Sequence, residues 1–128
     1  MVTYVADTYA WMAFFKGDSQ YANLMNASSL KTPSVAIGEL AHVLSRMGKT
    51  KEDIAKFIGV IERKSSILVL EKENAIAGGL IAAREKLDFS DSLNYSYATS
   101  EELFLTGDED FRQKQNVYFL KEKNRSKT

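Results

Sequence analysis

Hydrophobic and polar positions along the chain switch repeatedly between a strand period and a helix period. Val2, Tyr4 and Val5 make a short strand-like run that ends in Asp7, and Thr8 opens an apolar-rich helical run through Tyr9, Trp11, Met12, Phe14 and Phe15. Gly17-Asp18-Ser19 breaks that run and starts a second short helix carrying Tyr21, Leu24 and Met25. Pro33 biases Thr32 toward extended geometry and marks the end of a second strand. From 35 to 47 the apolar residues Val35, Leu40, Val43, Leu44 and Met47 follow a helical period, with Glu39, His42 and Arg46 on another side, and Gly48 stops the helix. Thr50, with Asp53 at capping-box distance, starts the next helix, whose stripe is Ile54, Phe57, Ile58 and Ile61.

The continuous apolar run at 67–70 reads as a strand buried on both faces. Residues 74–86 form a helix weakened by Gly78-Gly79, where small residues allow another backbone to come close. Ser90 reads as an N-cap that puts Asp91 in the first turn of a helix running through Leu93, Tyr95, Tyr97 and Ala98, the end at which the helix dipole favours an ionised carboxylate. Residues 103–106 form a strand that ends in the acidic turn Gly107-Asp108-Glu109-Asp110-Phe111, and 116–120 form the last strand. Strands that alternate with helices predict an α/β domain with a parallel sheet and right-handed crossovers.

Composition narrows the chemistry. A chain of 128 residues that is 45% hydrophobic is one domain able to bury a core. The absence of cysteine excludes disulfides, thiolate metal sites and a cysteine nucleophile, which fits a reducing cytoplasm. Apolar runs are too short for a membrane span, and the N-terminus lacks a signal-peptide pattern. Seventeen basic and seventeen acidic residues cancel, so any contact with nucleic acid has to use a local patch. Lys121, Lys123, Arg125 and Lys127 make residues 121–128 a basic tail, expected to be frayed beyond a domain that spans 1–120.

Position singles out four of the acids. Asp7 and Asp108 follow predicted strand ends on one edge of the sheet, where open α/β sheets bind ligands. Asp91 begins a helix, and Glu39 lies near the start of the helix after Pro33, close to the same edge. If the strands before Asp7 and Asp108 are neighbours, all four carboxylates converge, and they then require a shared cation or protons. Oxygen ligands without cysteine or a histidine pair select magnesium or manganese, ions suited to phosphodiester hydrolysis.

The motifs Val5-Ala6-Asp7-Thr8, Ser34 to Leu40 with Glu39, Phe89-Ser90-Asp91-Ser92-Leu93 and Leu105-Thr106-Gly107-Asp108-Glu109-Asp110-Phe111 resemble, in order, the four acidic motifs of PIN domains, above all the small VapC-type toxin ribonucleases. The resemblance covers the chain to about Leu120. It implies a three-layer fold with a central five-stranded parallel sheet flanked by helices, and magnesium or manganese held by Asp7, Glu39, Asp91 and Asp108. Asp110 is a further ligand candidate that ranks behind Asp108, and Thr8 and Thr106 are expected to orient carboxylates or water. The resemblance also implies an RNA substrate, an antitoxin protein and a homodimer.

Other readings fit less of the sequence. Glu39 and His42 have the i, i+3 spacing of di-iron bundles, but those sites need a second such pair and His42 is the one histidine. A phosphotransferase of the haloacid-dehalogenase kind requires an aspartate where Tyr9 stands, and a receiver domain requires an acidic pair where the chain has Ala6-Asp7. The alternative from another class is a PIN-like module that binds RNA or assembles with protein without turnover. Trp11, Phe14 and Phe15 are assigned to the core, and Lys16, Arg46, Lys49 and Arg84 are the basic residues available for substrate choice.

Overall fold

The computed structural model describes residues 1–123. Five strands form one parallel sheet: β1 (Thr3–Ala6), β2 (Ser29–Pro33), β3 (Ser65–Leu68), β4 (Glu102–Thr106) and β5 (Val117–Phe119), in the order β3-β2-β1-β4-β5. Six α-helices connect them: α1 (Thr8–Phe15), α2 (Ser19–Asn26), α3 (Ser34–Arg46), α4 (Lys51–Lys64), α5 (Lys72–Glu85) and α6 (Phe89–Tyr95). A 3-10 turn, Glu109–Phe111, follows β4. The chain leaves β1 toward one side of the sheet for β2 and β3, then returns to its other side for β4 and β5. The switch point therefore lies between β1 and β4, and the crevice beyond their carboxyl ends is where such a sheet presents a binding site.

Alternation along the strands divides the core between the two faces. Tyr4, Ala6, Leu30 and Leu105 point to one face and pack with Trp11, Tyr21, Met25, Leu40, Leu44 and Ile61 from α1 to α4. Val5 and Phe104 point to the other and pack with Tyr95, Phe111 and partly buried Ile81 near α5 and α6. Trp11 is buried and its Nε1 donates to Thr32 Oγ1 (3.0 Å), while Phe14 and Phe15 pack partly buried around it. This is the three-layer arrangement that the resemblance implies, and a parallel-sheet α/β domain as the strand and helix pattern predicts.

Several local expectations are corrected. The strand read at 67–70 lies two residues earlier, at the sheet edge, with Val69 66% exposed, because edge strands need only partial cover. Asp88, not Ser90, occupies the N-cap of α6, and Ser90 lies inside that helix, which stops at Tyr95. Val43 and Met47 are exposed; the buried stripe of α3 is Ala36, Leu40 and Leu44. Beyond Leu120 the described residues keep contact with the domain, Glu122 N–H donating to Tyr9 Oη (2.9 Å) and Lys123 N–H to Asp18 Oδ2 (2.7 Å). Arg125 and Lys127 lie outside the described residues.

The two adjacent glycines of α5 differ in role. A Cβ on Gly78 would stand 2.6 Å from Leu93 Cδ2 and 3.0 Å from Leu93 Cα, so the missing side chain is what lets α6 pack on α5. At Gly79 the nearest neighbour is Phe89 Cε1 at 3.9 Å. Gly78→Ala is expected to lower the unfolding free energy by about 1–3 kcal/mol through overpacking. Gly79→Ala should raise it by up to about 1 kcal/mol through helix propensity. Urea titrations of the two variants check this; equal effects would mean that the α5–α6 approach does not depend on Gly78.

Candidate functional site: a carboxylate cleft at the switch point

Asp7 directly follows β1 and caps α1, its Oδ1 accepting from Ala10 N–H (2.9 Å). Because Ala6 pairs with Leu105, Thr106 stands beside Asp7 at the end of β4 and donates its hydroxyl to the Asp7 carboxylate. The same Thr106 oxygen accepts from Asp108 N–H (3.1 Å), so one buried hydroxyl links the two acidic loops. Glu39 reaches the cleft from α3, where Thr8 Oγ1 donates to its Oε1 at 2.7 Å. Asp91 enters from the first turn of α6.

A cleft of about 240 Å³ is lined by Asp7, Thr8, Glu39, Asp91, Asn94 and Asp108 together with Tyr9, His42 and Val43. Among the described residues its lining holds four carboxylates and no lysine or arginine. Asp91, Asp108 and Asp110 each offer a carboxylate oxygen within 4.8 Å of the others, a spacing that suits a cation shared between hard oxygen ligands. Glu109, between the two aspartates, turns away to Arg112 (2.8 Å) and Lys121 (3.3 Å), contacts that hold its carboxyl down at about 2. Alternation within the turn thus presents both Asp108 and Asp110 to the same space as Asp91. The cluster of three is distinct from the set Asp7, Glu39, Asp91 and Asp108 that lines the cleft, and Asp91 and Asp108 belong to both.

The loop that carries Asp108 and Asp110 is fixed from below. A side chain at Gly107 would collide with the Tyr9 ring and the Leu120 carbonyl, so only glycine admits this close approach. Tyr21 Oη donates to the same Leu120 carbonyl (2.5 Å), and Lys16 pairs with Glu122 (3.5 Å). The segment 120–123 therefore straps the acidic turn to α1 and α2.

Burial and mutual repulsion raise the site's proton affinities. The Asp7 carboxyl is pushed up to about 7, first by desolvation and then by Asp108 and Asp91, against the pull of its bonds from Ala10 and Thr106. Asp91 is pushed up to about 6 by desolvation, Asp108, Glu39, Asp88 and Asp110. The favourable helix-dipole effect expected for Asp91 is overcome by desolvation together with these neighbours. Among the basic residues considered for substrate choice, Lys16 pairs with Glu122 and Arg84 with Glu85, and none of Lys16, Arg46, Lys49 and Arg84 lines the cleft. Sequence reasoning missed Asn94 and Tyr9; Asn94 lies three residues after Asp91, one helical turn along the same face.

Fold and cleft define the class first: an open parallel α/β domain with carboxylates gathered at its switch point. The PIN domain profile matches residues 4–117, and the chain belongs to the PIN domain family, whose members are generally nucleases that use divalent metal ions. The fold is similar to a chain of the VapBC2 crystal structure from Rickettsia felis bound to a promoter DNA fragment, with a TM-score of 0.73, 17% identity, and 95% of this chain and 100% of that chain covered. It is also similar to a chain of a toxin-antitoxin complex from Klebsiella pneumoniae, with a TM-score of 0.68, 13% identity, and 91% and 99% covered. A third similar structure is PAE2754 from Pyrobaculum aerophilum, with a TM-score of 0.66, 19% identity, and 92% and 89% covered. No curated protein matches the sequence.

The raised carboxyls set a pH dependence for stability without metal. In the unfolded chain both aspartates ionise near 3.8, whereas in the folded protein Asp7 does so near 7 and Asp91 near 6. Between those limits the folded state holds protons that the unfolded state has lost, so stability falls as pH rises, by up to about 1.4 kcal/mol per pH unit for buried Asp7 and by less for half-exposed Asp91, where solvent screens the repulsion. In EDTA the melting temperature is expected to drop between about pH 4 and 7, and Asp7→Asn should flatten the drop. An Asp7→Asn slope equal to that of wild type would show that Asp7 is not its source.

Proposed function

We propose that the chain is a magnesium- or manganese-dependent endoribonuclease that hydrolyses RNA phosphodiester bonds, and that it is the toxin of a VapBC-type pair acting in the cytoplasm. One observation carries the reading: buried or half-buried carboxylates from four separate segments meet in one cleft at the switch point of the sheet. Such a cluster fits a divalent cation, because its donors are oxygens, its lining includes no lysine or arginine among the described residues, and the proton affinities of Asp7 and Asp91 are raised by desolvation and then by mutual repulsion. Asp91, Asp108 and Asp110 would hold the ion, with Asp7 and Glu39 as the further ligands. When bound, the cation supplies a Lewis acid for a phosphoryl oxygen and lowers the pKa of a water beside it.

The rest follows from the chain's own groups. Thr8 keeps Glu39 in one orientation, and Thr106 holds Asp7 while receiving the backbone of Asp108. A phosphodiester carries the same sign of charge as these acids, so they exclude a bare anion from the cleft. An antitoxin partner is supported by the two toxin-antitoxin structures that share the fold, and a homodimer is the assembly proposed with it. Helices long and apolar enough to cross a membrane do not occur among the described residues.

The test is a panel of structured and single-stranded RNAs incubated with and without manganese. Cleavage is expected with manganese, none in EDTA, and recovery when the ion is restored. Asp91→Asn should lower turnover on the order of 10²-fold or more through lost electrostatic stabilisation, with the fold retained by circular dichroism. Manganese binding without cleavage of any RNA in the panel would instead identify a module without turnover.

A further inference from the structure

Asn94 is 1% exposed, yet it lines the carboxylate cleft. Its Nδ2 donates to Glu39 Oε1 at 2.9 Å, the oxygen that also receives the Thr8 hydroxyl. A carboxylate oxygen only accepts, so the amide nitrogen has to face Glu39, and this fixes the other amide atom as an acceptor. That acceptor, Asn94 Oδ1, is buried and has no partner among the described residues. The nearby acids donate nothing when ionised, and Thr8 is already committed to Glu39. A buried acceptor left in this state costs stability unless a ligand supplies a donor.

We propose that Asn94 is a two-sided positioning residue: its amide N–H holds Glu39 toward the cleft, and its carbonyl oxygen accepts an O–H donor that arrives with the ligand. The inference rests on reading the cleft as a cation-dependent RNA site. Two sources share that chemistry in a cleft of acids: water carried on the cation, and the ribose 2′-hydroxyl of the substrate. A phosphodiester has no donor of its own. The 2′-hydroxyl is also the group that separates RNA from DNA at a site, so in that case Asn94 contributes to the choice of substrate.

Asn94→Leu keeps the approximate shape and removes both polar functions; Asn94→Ala is the second variant should leucine prevent folding. Three quantities are measured: the melting temperature in EDTA, manganese affinity by electron paramagnetic resonance without RNA, and affinity for a single-stranded RNA and its DNA counterpart in calcium. In EDTA the leucine variant loses the bond to Glu39 and the unpaired buried acceptor together, two effects of opposite sign, so its melting temperature is expected to stay close to that of wild type. If water is the donor, manganese affinity falls by about tenfold, the usual worth of an outer partner to a ligand. If the ribose is the donor, manganese affinity holds and the preference for RNA over DNA falls about threefold or more, the worth of one hydrogen bond.

Either loss with the melting temperature retained supports the proposal. A lowered melting temperature with both affinities unchanged would make Asn94 a structural tie between α6 and α3, and would overturn it, as would no change in any readout. The assigned function fails separately: wild type that binds manganese in an Asn94-dependent way and cleaves no RNA would remove the nuclease reading and leave Asn94 in its role.

Discussion

A buried carboxylate at the switch point is the constraint that the surrounding structure answers. Asp7 is 7% exposed and has to cap α1, accept from Thr106 and tolerate Asp91 and Asp108 in the same neighbourhood. Neutral donors can orient such a group, but they do not cancel its charge. Two bonds pull its proton affinity down and still leave it near 7, so desolvation and repulsion outweigh hydrogen bonding at this position. The free energy of the cleft therefore depends on what neutralises it, protons at low pH or a cation at higher pH.

The fold meets that constraint with rigid supports. Parallel pairing of β1 with β4 sets Asp7 against Thr106, and the strap of 120–123 holds the following turn so that Asp108 and Asp110 face Asp91. Glu39 is held by donors from two helices, Thr8 on α1 and Asn94 on α6. Repelling charges can stay close only when their backbones cannot move apart, which is why the acidic turn is tied by Gly107, Tyr9, Tyr21 and Lys121 as well as by its own Asx bond, in which Asp108 Oδ1 accepts from Asp110 N–H (3.0 Å).

Much of this was legible in the sequence because strand-end acids carry a positional signal. Asp7 follows a short β-branched and aromatic run, Asp108 follows Leu103 to Thr106, and both fall on the edge where parallel strands place ligands. Asn94 was hidden because its neighbours Leu93 and Tyr95 read as core, and a polar residue in such a stretch becomes meaningful only when Glu39, distant in sequence, is seen beside it. The site of β3 was misread because Ile67 to Leu70 has the composition of a central strand, while its position at the edge is a tertiary property. The supports from Tyr9 and Glu122 join residues 113 apart in sequence and carry no local pattern. The elevated proton affinity of Asp91 likewise depends on neighbours from other segments, which helix position alone cannot supply.

Under the proposed function a divalent cation replaces protons held by desolvated, mutually repelling carboxylates. Proton release on manganese binding tests it most directly, by calorimetric titration in buffers of differing ionisation enthalpy. With Asp7 near 7 and Asp91 near 6, binding at pH 6.5 should release on the order of one proton per ion, and release should fall toward zero by about pH 8.5. Manganese binding at pH 6.5 with no proton release would contradict the account, because the carboxylates would then already be ionised without the cation.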